Sequence, residues 1–294
     1  MTKPVIGFIG LGLMGGNMVE NLQTRGYEMV VMGRKPDVVK AVTDRGNASV
    51  ATSPKAMAAA CDIIMLCVTT SEVVESLIYG EDGILAGIKE GAVLIDFGTS
   101  VPASTRKIGA DLAAKGAGMI DAPLGRTPAH AKDGLLNIMA AGDKATFDKV
   151  KPVLDDQGEN VFYLGDLGAG HVTKLINNFM GMTTVTAMSQ AFAVADRAGV
   201  DRAQLFDIMS AGPSNSPFMA FCKKYAVDGI SDLGFSINNA NKDLGYFLKM
   251  AEDMGTRAEI AEGTSHNLQA AVDAGMGDGN VPEIFNYFMK LGRT

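Results

Sequence analysis

Lys174, Asn177 and Asn178 stand in the run Lys174-Leu175-Ile176-Asn177-Asn178, inside an uninterrupted helical pattern near the middle of a 294-residue chain. On a 3.6-residue period these three and Gly181 fall on one face, and Val172, Leu175, Ile176, Phe179 and Thr183 form an apolar stripe opposite. One ammonium and two carboxamides thus converge beside a glycine, a set able to stabilise negative charge on an oxygen and to hand it a proton. Lysine is usually solvated, so the same face also reads as plain helix surface, and the rest of the chain has to decide.

A second group is Gly10-Leu11-Gly12-Leu13-Met14-Gly15, which directly follows the apolar, β-rich run Val5-Ile6-Gly7-Phe8-Ile9 and leads into the helical pattern Met18, Val19, Leu22. Between a strand and a helix this spacing is a dinucleotide fingerprint: Gly10 for the tight turn, Gly12 for close backbone approach, Gly15 for helix-to-strand packing, with a pyrophosphate at the helix N-terminus beside Leu13 and Met14. The next strand, 27–32, ends in Gly33-Arg34-Lys35-Pro36, where an NAD site would place a carboxylate for the adenosine ribose. A missing carboxylate removes repulsion against a ribose phosphate, and Arg34 and Lys35 bring cations to it, so NADP(H) is expected over NAD(H).

Positioning these groups requires a scaffold, and the alternation supplies one. A helix around 38–43, a strand at 63–68, a helix at 71–78 and a strand at 93–96 continue the strand-helix units, which implies a parallel, doubly wound sheet. Segments just past such strands line the cofactor crevice, so Cys67, Val68 and Thr99 are candidate walls on the nicotinamide side. Cys67 reads as a wall and not a nucleophile, for no activating base neighbours it in sequence. After Phe162-Tyr163-Leu164 no strand pattern returns: a glycine-rich hinge at 165–170 precedes a long helix over 169–195, then helices at 201–210, 217–227, 239–254, 258–275 and 281–291.

Composition narrows the function. A net charge of −7 argues against a general nucleic-acid surface, and no apolar run reaches membrane-spanning length. Three cysteines without ligand spacing suggest free thiols, and three scattered histidines give no metal site. With no signal-peptide pattern, a cytoplasmic protein is expected.

The glycine loop, Asp121-Ala122-Pro123-Leu124-Gly125-Arg126-Thr127, Gly134-Leu135-Leu136-Asn137-Ile138-Met139-Ala140-Ala141-Gly142, the lysine-asparagine run and Lys242-Asp243-Leu244-Gly245 together give a strong resemblance. In order and spacing the chain resembles the β-hydroxyacid dehydrogenases, which include 3-hydroxyisobutyrate dehydrogenases and tartronate and succinic semialdehyde reductases. The resemblance implies an α/β Rossmann N-terminal domain and an all-α C-terminal domain joined by a long inter-domain helix. The expected divisions are 1–164 for the NADP-binding domain, 165–195 for the helix and 196–294 for a substrate and dimerisation domain, with a homodimer or homotetramer as the assembly.

By the same resemblance Lys174 is the catalytic lysine, Asn178 a substrate-orienting amide, and Lys242 a residue reaching the cofactor. The chemistry agrees, because hydride transfer to an aldehyde leaves negative charge on its oxygen. The residues alone leave open whether Asn177 or Asn178 holds the lysine or binds substrate. One departure concerns the substrate: the family usually has Ser-Gly-Gly where this chain has Gly125-Arg126-Thr127. An arginine there brings a two-pronged donor suited to a strong anion, and the loop is similar to that of 3-sulfolactaldehyde reductases. Those relatives carry an aspartate at the Gly33 position and use NADH, so the cofactor end differs from them. The expected activity is NADP(H)-preferring reduction of a small anionic aldehyde, with a sulfonate or carboxylate near Arg126. Its rivals are a conventional hydroxyisobutyrate or semialdehyde enzyme, an imine reductase and a non-catalytic nucleotide sensor.

Overall fold

Four-residue apolar runs too short for helices and bounded by turns make the first sheet, seen in a computed structural model that describes residues 3–291. The strands are β1 (Ile6–Ile9), β2 (Met29–Met32), β3 (Ala48–Val50), β4 (Ile63–Leu66), β5 (Val93–Asp96), β6 (Gly118–Asp121), β7 (Leu124–Gly125), β8 (Leu136–Gly142) and β9 (Gly158–Tyr163). Their order is β3-β2-β1-β4-β5-β6-β8-β7, with β9 paired to β8. The strands β1 to β6 run parallel, as a doubly wound dinucleotide fold requires, and β8 turns antiparallel to β6 and β7.

Side chains alternate across the sheet. Ile6, Phe8 and Met65 enter one core with Met18 and Leu22 from the first helix, Leu13–Thr24. Ile9, Ile64, Leu66 and Leu94 enter the opposite core with Met57, Ile78 and Ile108. Apolar cover on both faces is why these strands read as continuous hydrophobic runs.

The glycine-rich turn ends in Gly168 at φ +93, and the long helix follows as Ala169–Ala198. The chain divides into two compact units, Met1–Lys174 and Leu175–Thr294. In the second, the helices Arg202–Ser210, Pro217–Ala226, Ile237–Asp253, Glu259–Ala271 and Ile284–Lys290 bury Val185, Phe192, Leu244, Leu268 and Phe288 in one core. Ser216 and Ser236 cap two of those helices by accepting backbone N–H groups. Among the described residues no strand follows Tyr163.

Two expectations need correction. Beyond 38–43 the sequence reading passes over β3 and the helix Pro54–Ala60, because an edge strand of three residues with Ser49 and Val50 exposed has no legible period. The long helix also does not set an apolar stripe opposite its polar face: Asn178 is buried and Ile176 is 47% exposed. Burial of that amide is possible because a carboxylate receives it, as described below.

Candidate functional site

The glycine loop shows a different constraint at each of its three positions. Gly10 has φ +107, and a Cβ there would collide with the Cys67 carbonyl. A Cβ on Gly15 would meet the Gly10 carbonyl and stand 2.9 Å from the Phe8 ring. At Gly12 a Cβ would meet nothing within 4 Å, so this backbone lies open on its outer side. Gly12 is also the N-cap of Leu13–Thr24 and offers no side chain to the helix's first N–H groups. Open backbone amides at a positive helix end suit a pyrophosphate, so the loop fits a dinucleotide. Leu13 is exposed beside it, and Met14 packs half-buried against the core.

At the end of β2, Gly33, Arg34 and Lys35 are all exposed. Asp37, the nearest following acid, lies in the first turn of Pro36–Asp44. Cys67 follows β4 and donates its N–H to Ile9. Burial pushes the Cys67 thiol up to about 12, aided by the Asp96 charge, which disfavours the thiolate that a nucleophile needs. Val68 and Thr99 are half-buried at neighbouring strand ends. The Asp96 carboxylate shapes the Thr99 turn by accepting from the Gly98 N–H at 2.8 Å and the Ser100 hydroxyl at 2.7 Å.

Lys174 and the loop after β7 come together. Lys174 Nζ donates to the Leu124 carbonyl at 2.7 Å, one residue before Gly125-Arg126-Thr127. Arg126 has φ +75, the left-handed conformation that glycine adopts without strain. Its Nη1 donates to the Leu135 carbonyl at 2.7 Å and also forms an ion pair with Glu159 on β9. Thr127 Oγ1 lies 2.7 Å from His130 Nδ1. Asn17, in the helix that starts at the glycine loop, donates to the Pro128 carbonyl at 3.1 Å. The helix that starts at the glycine loop is therefore tied to the residue just after Gly125-Arg126-Thr127 within the first unit.

In the second unit the two asparagines separate. Asn177 is exposed, whereas Asn178 is 6% exposed and donates Nδ2 to Asp243 Oδ2 at 2.6 Å. Asp243 is itself buried, and its other oxygen lies 2.9 Å from Lys242 Nζ. Lys242 also stacks over Tyr246, 5.0 Å from the ring centroid. With Nδ2 fixed on a carboxylate, the Asn178 carbonyl oxygen is the end left to face away, 3.5 Å from Asn177 Nδ2.

The sequence reading missed Asp243 as the partner of Asn178, His130 beside Thr127, and the buried group of Asp96, Asp121 and His171. Asn178 and Asp243 are 65 residues apart and Thr105 and His171 66, which leaves no local signal for either, whereas Thr127 and His130 stand only three positions apart and that spacing was open to reading. Among the described residues no group of His, Cys, Asp and Glu could hold a metal, and no helix is long and apolar enough to cross a membrane.

Comparison with known proteins agrees with the fold. Residues 5–165 match the family described as the NAD binding domain of 6-phosphogluconate dehydrogenase. Residues 168–288 match that described as NAD-binding of NADP-dependent 3-hydroxyisobutyrate dehydrogenase. A 3-hydroxyisobutyrate dehydrogenase of Pseudomonas aeruginosa is 31% identical over 84% of this chain and 85% of its own length. A 3-sulfolactaldehyde reductase of Escherichia coli is 29% identical over 92% and 91%. The crystal structure of a 3-hydroxyisobutyrate dehydrogenase from Salmonella typhimurium superimposes with a TM-score of 0.85 at 25% identity, covering 97% of this chain and 100% of that one.

Proposed function

The chain belongs to the β-hydroxyacid dehydrogenase family, whose members are NAD(P)-dependent oxidoreductases acting on hydroxyl groups, and we propose that it reduces a short acidic aldehyde with NADPH through Lys174. One observation carries the reading: the Lys174 ammonium sits 2.7 Å from the Leu124 carbonyl, at the root of the Gly125-Arg126-Thr127 loop. A reduced nicotinamide supplies hydride when bound. The chain's own part is to hold the aldehyde oxygen near Lys174, whose ammonium meets the developing charge and gives up a proton. The Leu124 carbonyl aims that ammonium before the transfer. Asn178, fixed by Asp243, is assigned to orient the substrate.

The substrate's anionic end is assigned to Gly125, Arg126 and Thr127. Both Arg126 contacts run through Nη1, which leaves Nε and Nη2 as a donor pair for a carboxylate or sulfonate. Gly33 in place of an acid, with Arg34 and Lys35 exposed after it, supports NADPH over NADH. Turnover of 3-sulfolactaldehyde, succinic semialdehyde and tartronate semialdehyde with each cofactor tests both assignments. A lower KM for NADH, or no turnover of any acidic aldehyde, counts against them.

The Glu159 ion pair favours a second reading, in which Arg126 braces its own sheet and the substrate is a conventional hydroxyacid such as 3-hydroxyisobutyrate. Arg126→Ala separates the two, since bracing alone leaves KM for every substrate unchanged. A homodimer or homotetramer is proposed on family grounds, and light scattering of the purified chain tests it.

A further inference from the structure

A buried ionisable cluster behind Lys174 plays no part in the chemistry assigned above. His171, one turn earlier on the long helix, is fully buried. Its Nδ1 lies 2.8 Å from Thr105 Oγ1 and 3.7 Å from Asp121 Oδ2, and its Nε2 lies 3.7 Å from Asp96 Oδ2 without a hydrogen-bond partner. The Thr105 hydroxyl donates to the Val101 carbonyl at 3.2 Å, so its oxygen is left to accept from Nδ1. Asp96 and Asp121 are register partners at the ends of β5 and β6, two buried carboxyl groups side by side.

Each carboxylate holds a different element. Asp96 bonds the Gly98 N–H and the Ser100 hydroxyl, which fixes the Thr99 turn. Asp121 accepts the Gly168 and His171 N–H groups at 2.7 Å each, which caps the first turn of the long helix. Adjacent buried carboxyls are costly without a donor between them, and burial does push the Asp121 carboxyl up while the facing His171 ring opposes that shift. An imidazole is the group present, where an apolar side chain could have filled the space.

We propose that His171 is a positioning residue: its ring, bonded to Thr105 and packed 3.7 Å from the carboxylates of both Asp96 and Asp121, forms one junction that sets the helical turn carrying Lys174 against the Thr99 loop. The lysine and the nicotinamide-side wall are then set by the same buried contact. The proposal rests on the reductase reading for its kinetic consequences, although the junction itself is a property of the chain.

The test uses the full-length chain with His171→Leu, which removes both ring nitrogens, and His171→Gln, whose amide can donate toward Asp96. For an aldehyde found to turn over, His171→Leu lowers kcat about 100-fold, as a displacement near 1 Å does, with KM and the NADPH Kd within about threefold. His171→Gln recovers about tenfold of that loss. If His171→Leu does not fold, Thr105→Val replaces it, with kcat about tenfold lower and the NADPH Kd unchanged. Hydrogen exchange is measured on the same variants without substrate, and both the 97–101 and 168–176 segments exchange faster. A kcat within twofold of wild type, a glutamine variant no better than leucine, or faster exchange in the helix segment alone overturns the proposal. Should the wild-type chain reduce no aldehyde, the reductase reading fails, and the exchange of both segments still decides the junction.

Discussion

Replacing Arg126 by glycine should separate its conformational cost from its chemical use. At φ +75 an arginine is strained, and glycine relieves about 1 kcal/mol of it. The substitution also removes the Nη1 bond to the Leu135 carbonyl, worth about 1 kcal/mol net. The Glu159 ion pair goes too, and with side chains 28% and 52% exposed it is screened enough to contribute only about 0–1 kcal/mol. These contributions nearly cancel, so Tm should move by no more than about 4 °C. Catalysis has no such compensation. Loss of a charge-assisted contact to the substrate's anion costs about 1.5–3 kcal/mol, a fall in kcat/KM of about 10- to 150-fold. The assay pairs steady-state kinetics on an acidic aldehyde with a thermal melt of Arg126→Gly. An unchanged kcat/KM would refute the anion-anchor assignment, and a melt lowered by more than about 6 °C would refute the strain argument.

Three further outcomes test other parts of the site. Gly33→Asp should exchange the cofactor preference, raising KM for NADPH about tenfold or more and lowering that for NADH, since a carboxylate repels a ribose phosphate. Its Cβ would meet only the ends of Val39 and Leu11, at 3.0 and 3.1 Å, so the fold should accommodate it, and kinetics with both cofactors give the answer. Asp243→Leu leaves the buried Asn178 amide without its acceptor and should lower stability by about 1–3 kcal/mol in a urea titration, with a rise in KM for the aldehyde. The thiols of Cys61, Cys67 and Cys222 are pushed up to about 11, 12 and 12, chiefly by burial, which disfavours the charged thiolate. Iodoacetamide at pH 8 should therefore leave all three intact in the native chain and alkylate them after denaturation, as counted by mass spectrometry.

What the sequence disclosed depended on how local each feature is. β1, the glycine loop and the first helix follow one another without a gap, so strand period, turn residues and helix start could be read together. β7 has two residues and owes its existence to pairing with β8, for which two residues hold no pattern. Lys174 was legible as a group worth attention, but its tether to Leu124 spans 50 positions. The burial of Asn178 was misjudged because a carboxamide looks polar until its acceptor, Asp243, is placed beside it. Arg126 was expected to aim at a substrate; its positive φ and its ion pair with Glu159 depend on the backbone path after β7, which residue types alone do not disclose. The cluster around His171 joins residues from two strands and two helices, and three isolated histidines in a sequence give no hint of it.

The central claim is that Lys174 carries the proton to the aldehyde oxygen, and Lys174→Ala measures it most directly. The account predicts that kcat with NADPH and the best acidic aldehyde falls at least about 100-fold, the range for a lost proton donor. It predicts an NADPH Kd within about threefold of wild type, because the glycine loop and the β2 end are untouched. A kcat within twofold of wild type, with the same cofactor affinity, would contradict the account.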